Sequence, residues 1–263
     1  TASVGATPFL VELVAAAKRN GTKLPSMRLF ACGGAAVPHQ VINSACDELQ
    51  NCCAFRVYGS TETPVITQGF VDASQRELAA TTDGMIYGYD VKILDENGIE
   101  VGSEVDGEIA ARGAGMMLGY ADPAQNRDAH DEQGYFYTGD IGRRTNDNAI
   151  LITDRKKDII IRGGENISAK EVEDVLHDHP GIHEAAVVAM PHERLGEGVC
   201  AFVVADSDVD VDAVTGFADK AQLAKQKIPQ RIEFVSNLPR TASGKVRKDV
   251  LRRQIRTILE DIV

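Results

Sequence analysis

The chain of 263 residues has no tryptophan, and only six tyrosines and eight phenylalanines. Aromatic stacking on nucleic acid is therefore a poor expectation, and a formal net charge of −11 argues against a polyanion as the main partner. No apolar run approaches the roughly 18 residues that span a bilayer. No basic leader precedes the apolar part of this stretch, so a signal peptide is not expected in it. C-x-x-C spacing is also missing. The five cysteines, Cys32, Cys46, Cys52, Cys53 and Cys200, read as reduced structural thiols of a cytoplasmic protein. His177, His179 and His183 read as polar residues near a helix end rather than metal ligands. The first residue is Thr1, in sequence that is already amphipathic, and we read the chain as part of a longer protein.

What is present is ordinary for a folded protein, with 43% hydrophobic and 25% charged residues. At about 150 residues per domain the length suggests two domains. Residues 4–19 predict an amphipathic helix, with Phe9, Leu10, Leu13, Val14 and Ala17 at helical spacing. Met27–Val37 holds a short apolar strand running into Gly33-Gly34. A helix over His39–Gln50 then leads to a strand over Cys53–Val57, which ends in Tyr58-Gly59-Ser60-Thr61-Glu62-Thr63. Strand, helix and strand in that order read as a βαβ unit, whose ligands gather at the carboxyl ends of the strands. Residues 85–153 alternate in short segments with an Asn97-Gly98 turn, and predict a β-rich subdomain with Tyr135–Asp140 on one of its connections.

Asp154–Asp158 carries both charge signs and no apolar residue, and is expected to be a solvated joint. After it come a β-branched run at Ile159–Ile161, the pair Gly163-Gly164, and Ser168 with Glu171 as a capping box. Beyond the joint we expect strands over Ile159–Arg162, Glu184–Met190, Val199–Ala205 and Arg231–Val235. Helices are expected over Ala169–His179, Val211–Gln226 and Val246–Ile262. The expected fold is thus α/β followed by α+β. Residues 1–156 end a large α/β domain that includes the β-rich subdomain, and residues 157–263 form a compact mobile domain.

Individually the loops allow plain readings. Gly33-Gly34 fits a strand-to-helix turn, Asp140 an Asx-turn, and Arg155 and Lys245 surface charges. The Tyr58–Glu62 loop offers more: an aromatic face, hydroxyls for phosphate oxygens, and a carboxylate for Mg²⁺. A carboxylate at Asp140 can accept from both hydroxyls of a ribose diol.

In combination, YGSTE at Tyr58–Glu62, YFYTGD at Tyr135–Asp140, DRKKDIIIRGGENISAKEVE at Asp154–Glu173 and PRTASGKVRK at Pro239–Lys248 resemble the adenylate-forming superfamily. That superfamily holds the acyl- and aryl-CoA synthetases, luciferases and peptide-synthetase adenylation domains, and the resemblance covers essentially the whole chain. It implies the following roles. Gly33, Gly34 and Ala35 line the adenine and acyl pocket, and Tyr58 flanks the adenine. Gly59 and Ser60 belong to the cofactor-binding loop, Thr61 contacts a phosphate, and Glu62 holds magnesium. Asp140 binds the ribose, Arg155 contacts the nucleotide, and Lys157 is the hinge about which the C-terminal domain swings between two half-reactions. Gly163 and Gly164 then reach the thiol channel, and Lys245 bridges the substrate carboxylate and the α-phosphate.

The implied substrates are a carboxylic acid, ATP and CoA, with Mg²⁺ as cofactor. GGENIS followed by EVE resembles the CoA ligases more than the peptide-synthetase domains. Two alternatives are an enzyme that loads a carrier-protein thiol and a regulatory module that binds nucleotide without turnover. The family's threonine- and glycine-rich phosphate loop is not among these residues, so this polypeptide is expected to be inactive by itself. A truncated sheet would expose an edge, which predicts self-association such as a homodimer. The acid's pocket is expected near Phe9, Gly33–Ala36 and Tyr58–Thr63.

Overall fold

A computed structural model describes residues 1–242 and 244–260. The chain divides into two compact units, Thr1–Thr153 and Asp154–Val263. The division falls three residues before the expected 156/157 boundary. One reason is local to the second unit: the Asp154 carboxylate accepts from the backbone N–H of Lys170 at 3.2 Å, so Asp154 is already tied into it.

The first unit opens with β1 (Ala2–Gly5), α1 (Thr7–Arg19), β2 (Leu29–Cys32), α2 (His39–Glu48) and β3 (Cys53–Arg56). The three strands form a parallel sheet in the order β1-β2-β3. The helix expected from residue 4 therefore begins only at Thr7. Pro8 sits in its first turn, where a missing N–H costs nothing. Ala2–Gly5 instead pairs in register with Leu29–Cys32, a long-range ladder that local helical periodicity does not reveal. Leu10, Val14 and Ala17 of α1 and Ile42 and Ala45 of α2 bury one face of this sheet.

Next come β4 (Thr67–Gln68), α3 (Arg76–Thr81) and β5 (Met85–Ile86), and then β6 (Tyr89–Leu94), β7 (Gly107–Gly113), β8 (Phe136–Arg144) and β9 (Ile150–Arg155). The last four make an antiparallel sheet in chain order, the β-rich subdomain. Here one expectation is corrected. Phe136–Asp140 lies inside β8 and is not a connection. The ladder with β7 pairs Ala110 with Tyr137 and then Glu108 with Ile141, so Thr138-Gly139-Asp140 bulges out of register. Gly139, at φ +71°, permits the bulge, which bends the strand and re-aims its side chains. A strand interrupted by glycine and a bulge looks like a loop in sequence.

The second unit contains β10 (Ile160–Arg162), β11 (Glu165–Ile167), α4 (Ala169–His177), β12 (Ile182–His192), β13 (Gly196–Ala205), α5 (Val211–Lys220), β14 (Arg231–Phe234) and α6 (Lys248–Glu260). β12 and β13 form a long antiparallel hairpin, and β14 joins β13 in parallel. Alternation along the hairpin buries both faces. Val187, Val199, Ala201 and Val203 pack with α4 and α5 residues, and Val188, Cys200 and Phe202 pack with Leu251 and Ile255 of α6. Burial pushes the Cys200 thiol up to about 12, and Cys52 in the first unit to about 11. All five cysteines are unpaired thiols.

The helix expected through Gln226 stops at Lys220. Gln222 takes φ +61° and the Leu223 N–H returns to Ala218 O at 3.1 Å, a Schellman ending that buries Leu223. In α6 the expected positions beyond Glu260, Ile262 among them, lie outside the described residues, as does Ser243. Among the described residues no helix is long and apolar enough to cross a membrane.

Candidate functional site

Gly33 follows β2, and Tyr58 stands two residues beyond the end of its parallel neighbour β3. The two chain segments touch: a Cβ on Gly33 would lie 2.5 Å from Val57 O, so only glycine lets them approach. Gly34 (φ +79°) and Ala35 are exposed beside it.

The Tyr58–Glu62 loop folds back on itself. Tyr58 N–H donates to Thr67 Oγ1 at 2.8 Å, and Thr67 N–H returns to Tyr58 O at 3.2 Å. Ser60 N–H donates to Thr63 O at 3.1 Å, and Thr63 N–H donates to Ser60 Oγ at 3.1 Å. A Cβ on Gly59 would meet Val65 N at 2.5 Å and Thr63 O at 3.0 Å, both backbone atoms that cannot yield by a rotamer change. Gly59→Ala is therefore expected to cost about 1–3 kcal/mol, as overpacking does, and to open the turn. A thermal melt and a nucleotide-binding titration of the full-length protein check this. An unchanged melting temperature would show that the turn is looser than described.

Tyr58 Oη donates to Asp140 Oδ2 at 2.9 Å, joining residues 82 apart in sequence. Asp140 is buried, and the β8 bulge aims it there. Thr138 Oγ1 donates to Ile109 O at 2.8 Å across the interrupted ladder and accepts from Asp140 N–H at 3.2 Å. Glu62 is half-buried, and Tyr120 Oη donates to its Oε1 at 3.2 Å. Burial and then the Glu62 charge push the Tyr120 phenol up, as expected beside an ionised carboxylate. Thr61 is exposed on the loop between them. The first unit thus joins Tyr58 to Asp140, with Glu62 four residues beyond Tyr58 on the same loop. Beneath them Arg56 forks onto Asp83 at 2.6–2.9 Å, and both are buried. Asp83 also accepts from Ile152 N–H at 2.9 Å and, through its carbonyl, from Thr67 Oγ1. Thr67 thereby links Asp83 to Tyr58. Tyr120, Thr67 and the Arg56–Asp83 pair carry no signal in the local sequence.

The remaining candidates lie in the second unit. Arg155 and Lys157 are exposed, and Lys157 belongs to a 3-10 turn over Lys156–Asp158. Gly163 and Gly164, at φ +59° and +89°, form the two-residue turn of the β10–β11 hairpin, which demands positive φ at both positions. Ser168 caps α4, accepting from Glu171 N–H at 3.0 Å. Lys245 is exposed. The backbone around it closes a hairpin: Thr241 N–H to Lys245 O at 2.8 Å, Lys245 N–H to Thr241 Oγ1 at 3.1 Å, and Arg247 N–H to Pro239 O at 2.7 Å. Arg240 and Lys248 anchor its two arms, Arg240 on Glu184 and Lys248 on Glu173, each at 2.7 Å. Glu173 also accepts from Val187 N–H at 2.7 Å, which fixes α4 to the β12 edge.

The AMP-binding enzyme family matches residues 1–121, and the AMP-binding enzyme C-terminal domain matches residues 171–245. The chain belongs to this family of adenylate-forming enzymes. It is 38% identical over 271 residues to the medium-chain fatty-acid–CoA ligase of Escherichia coli (strain K12), covering 100% of this chain and 48% of that ligase. It is 35% identical over 247 residues to the vibriobactin-specific 2,3-dihydroxybenzoate-AMP ligase of Vibrio cholerae (serotype O1, strain El Tor Inaba N16961), covering 92% of this chain and 45% of that protein. Among solved structures, ATP-bound MatB from Rhodopseudomonas palustris matches with a TM-score of 0.89 at 31% identity, covering 98% of this chain and 51% of MatB. The chain spans about half the length of the curated relatives it matches.

Proposed function

We propose that the whole protein is an acid:CoA ligase that makes an acyl-adenylate and passes the acyl group to CoA. The observation that carries this is the Tyr58–Asp140 bond, an aromatic face and a carboxylate joined from segments far apart in sequence, with Glu62 further along the Tyr58 loop. In the first half-reaction a carboxylate oxygen of the acid attacks the α-phosphorus of ATP. The α–β phosphoanhydride bond breaks and pyrophosphate leaves. In the second, the CoA sulfur attacks the acyl carbon, AMP leaves with the bonding pair, and the thiol proton is released.

In this reading the adenine lies along Tyr58, with Gly33, Gly34 and Ala35 at its pocket wall. The ribose hydroxyls donate to Asp140, joining the Tyr58 hydroxyl, and Arg155 meets the nucleotide. Thr61 and the Gly59–Ser60 backbone face the phosphates. Among the described residues no group of three or more His, Cys, Asp or Glu could cage a metal. One carboxylate at Glu62 with hydroxyls nearby nevertheless fits Mg²⁺, which takes hard oxygen donors and completes its shell with phosphates and water. Such an ion would neutralise charge on the phosphates. Lys245 supplies a compact cation for the acid carboxylate and the α-phosphate. The second unit pivots at Lys157 between the half-reactions, withdrawing Lys245 and bringing Gly163-Gly164 to the thiol.

We place the work in the cytoplasm. Self-association of this polypeptide would use the exposed outer edge of β1 at Ala2–Val4. The likeness to the fatty-acid ligase makes medium-chain fatty acids the first acids to assay. The test is acid-dependent ATP–pyrophosphate exchange by the full-length protein, with labelled acid then trapped on CoA. Exchange followed by label on CoA supports the proposal; exchange with label only on a carrier protein replaces it with the carrier-loading reading. Nucleotide binding without exchange would leave a regulatory module.

A further inference from the structure

The joint between the two units ends in a contact that the proposed reaction does not account for. Arg252, on the second turn of α6, donates from one terminal nitrogen to Lys157 O at 3.1 Å and to Asp158 Oδ1. Asp158 is buried, unlike Arg155, Lys156 and Lys157 just before it. One turn earlier on the same helix Lys248 holds Glu173, so α6 is clamped at two consecutive turns. The peptide unit between Lys157 and Asp158 is planar and rigid. Pinning its oxygen and the next side chain to one guanidinium fixes that plane to α6, and the first soft dihedrals upstream are those of Lys157.

We propose that Arg252 is a positioning residue that forms the fixed wall of the pivot and confines rotation to Lys157 and the residues before it. The inference rests on the domain-rotation reading above for its consequence, but not for the clamp itself. The same helix leads directly from the Lys245 hairpin, so a wall at Arg252 also sets where Lys245 stands after each swing. Without it the pivot would spread into Asp158 and Ile159, and each productive orientation would be sampled less often.

The experiment uses the full-length protein with Arg252→Gln, Arg252→Lys and Asp158→Asn, digested briefly with trypsin and mapped by mass spectrometry. Cutting after Arg155, Lys156 and Lys157 is compared with cutting at exposed Lys225, in a loop remote in sequence. In Arg252→Gln the joint should be cut about tenfold faster relative to Lys225, the effect of losing the two guanidinium hydrogen bonds that held local opening in check. Arg252→Lys, which keeps the charge but not the guanidinium, should fall between, and Asp158→Asn should resemble Arg252→Gln. Acid-dependent exchange should lose about tenfold in kcat, by the same free energy, while the KM for ATP stays within about twofold.

An unchanged cutting ratio in Arg252→Gln and Asp158→Asn overturns the proposal, as does equal acceleration at Lys225, which would show only global loosening. If Arg252→Gln does not fold, the ratio in Arg252→Lys decides by the same criterion. A raised ratio with kcat unchanged upholds the clamp and sinks the domain-rotation reading instead.

Discussion

Lys245→Ala in the full-length protein is expected to abolish acid-dependent pyrophosphate exchange while leaving most of the transfer from a synthetic acyl-adenylate to CoA. The loss should be about 10²–10³-fold, the scale on which removal of one preorganised charge-stabilising group acts. The reason is electrostatic. A carboxylate approaching a phosphate meets like charge, and the transition state gathers more of it on the phosphoryl oxygens. A single cation at that place relieves both, whereas thiol attack on the mixed anhydride needs no cation there. The substitution is clean because the hairpin around Lys245 is held by main-chain atoms of residue 245, by Thr241 and by the arms at Arg240 and Lys248. Alanine keeps those bonds, so a lost activity reports chemistry rather than a collapsed loop. Survival of both half-reactions would make Lys245 a surface charge, and the roles assigned by family likeness would have to be rebuilt.

Asp83→Ala is expected to be the most damaging change to the fold of the first unit, costing about 3–5 kcal/mol. The Asp83 and Arg56 side chains are only 10% and 6% exposed, and the substitution would strand a guanidinium in the interior. It would also leave the Ile152 N–H without its acceptor at Asp83. Asp83→Asn, which keeps an acceptor but not the charge, should fall between the two. Because Asp83 O accepts from Thr67 Oγ1 and Thr67 supports Tyr58, the damage should reach the proposed nucleotide site as well. Urea unfolding of the full-length protein, followed with a nucleotide-binding titration, measures both. A shift under about 1 kcal/mol would mean that Arg56 finds water or another partner, and that the pair is not the support described here.

Much of the architecture was legible in advance for a simple reason: where one side of an element faces a core, periodicity records it. The stripe Val172, Leu176 of α4, the stripe Leu251, Ile255 of α6, and the alternation in β12 and β13 are such records. The βαβ order of the first unit was readable in the same way, and so was the start of α4 at Ser168. Four short motifs, with their order along the chain, were enough to identify the family.

Other features depend on partners distant in sequence. β1 exists because Ala2–Gly5 finds Leu29–Cys32, although its own pattern continues a helix. Asp140 is aimed by a bulge that arises only when β7 and β8 are laid side by side, and its bond to Tyr58 spans 82 positions. Tyr120 reaches Glu62 across 58 positions, and Arg252 reaches Asp158 across 94. Local propensity and spacing describe what a segment prefers and which residues carry chemistry. Which backbone groups are left for a side chain to satisfy, and which charges end up facing one another in a low-dielectric interior, is settled by packing, because those energies exist only between segments that the folded chain brings together.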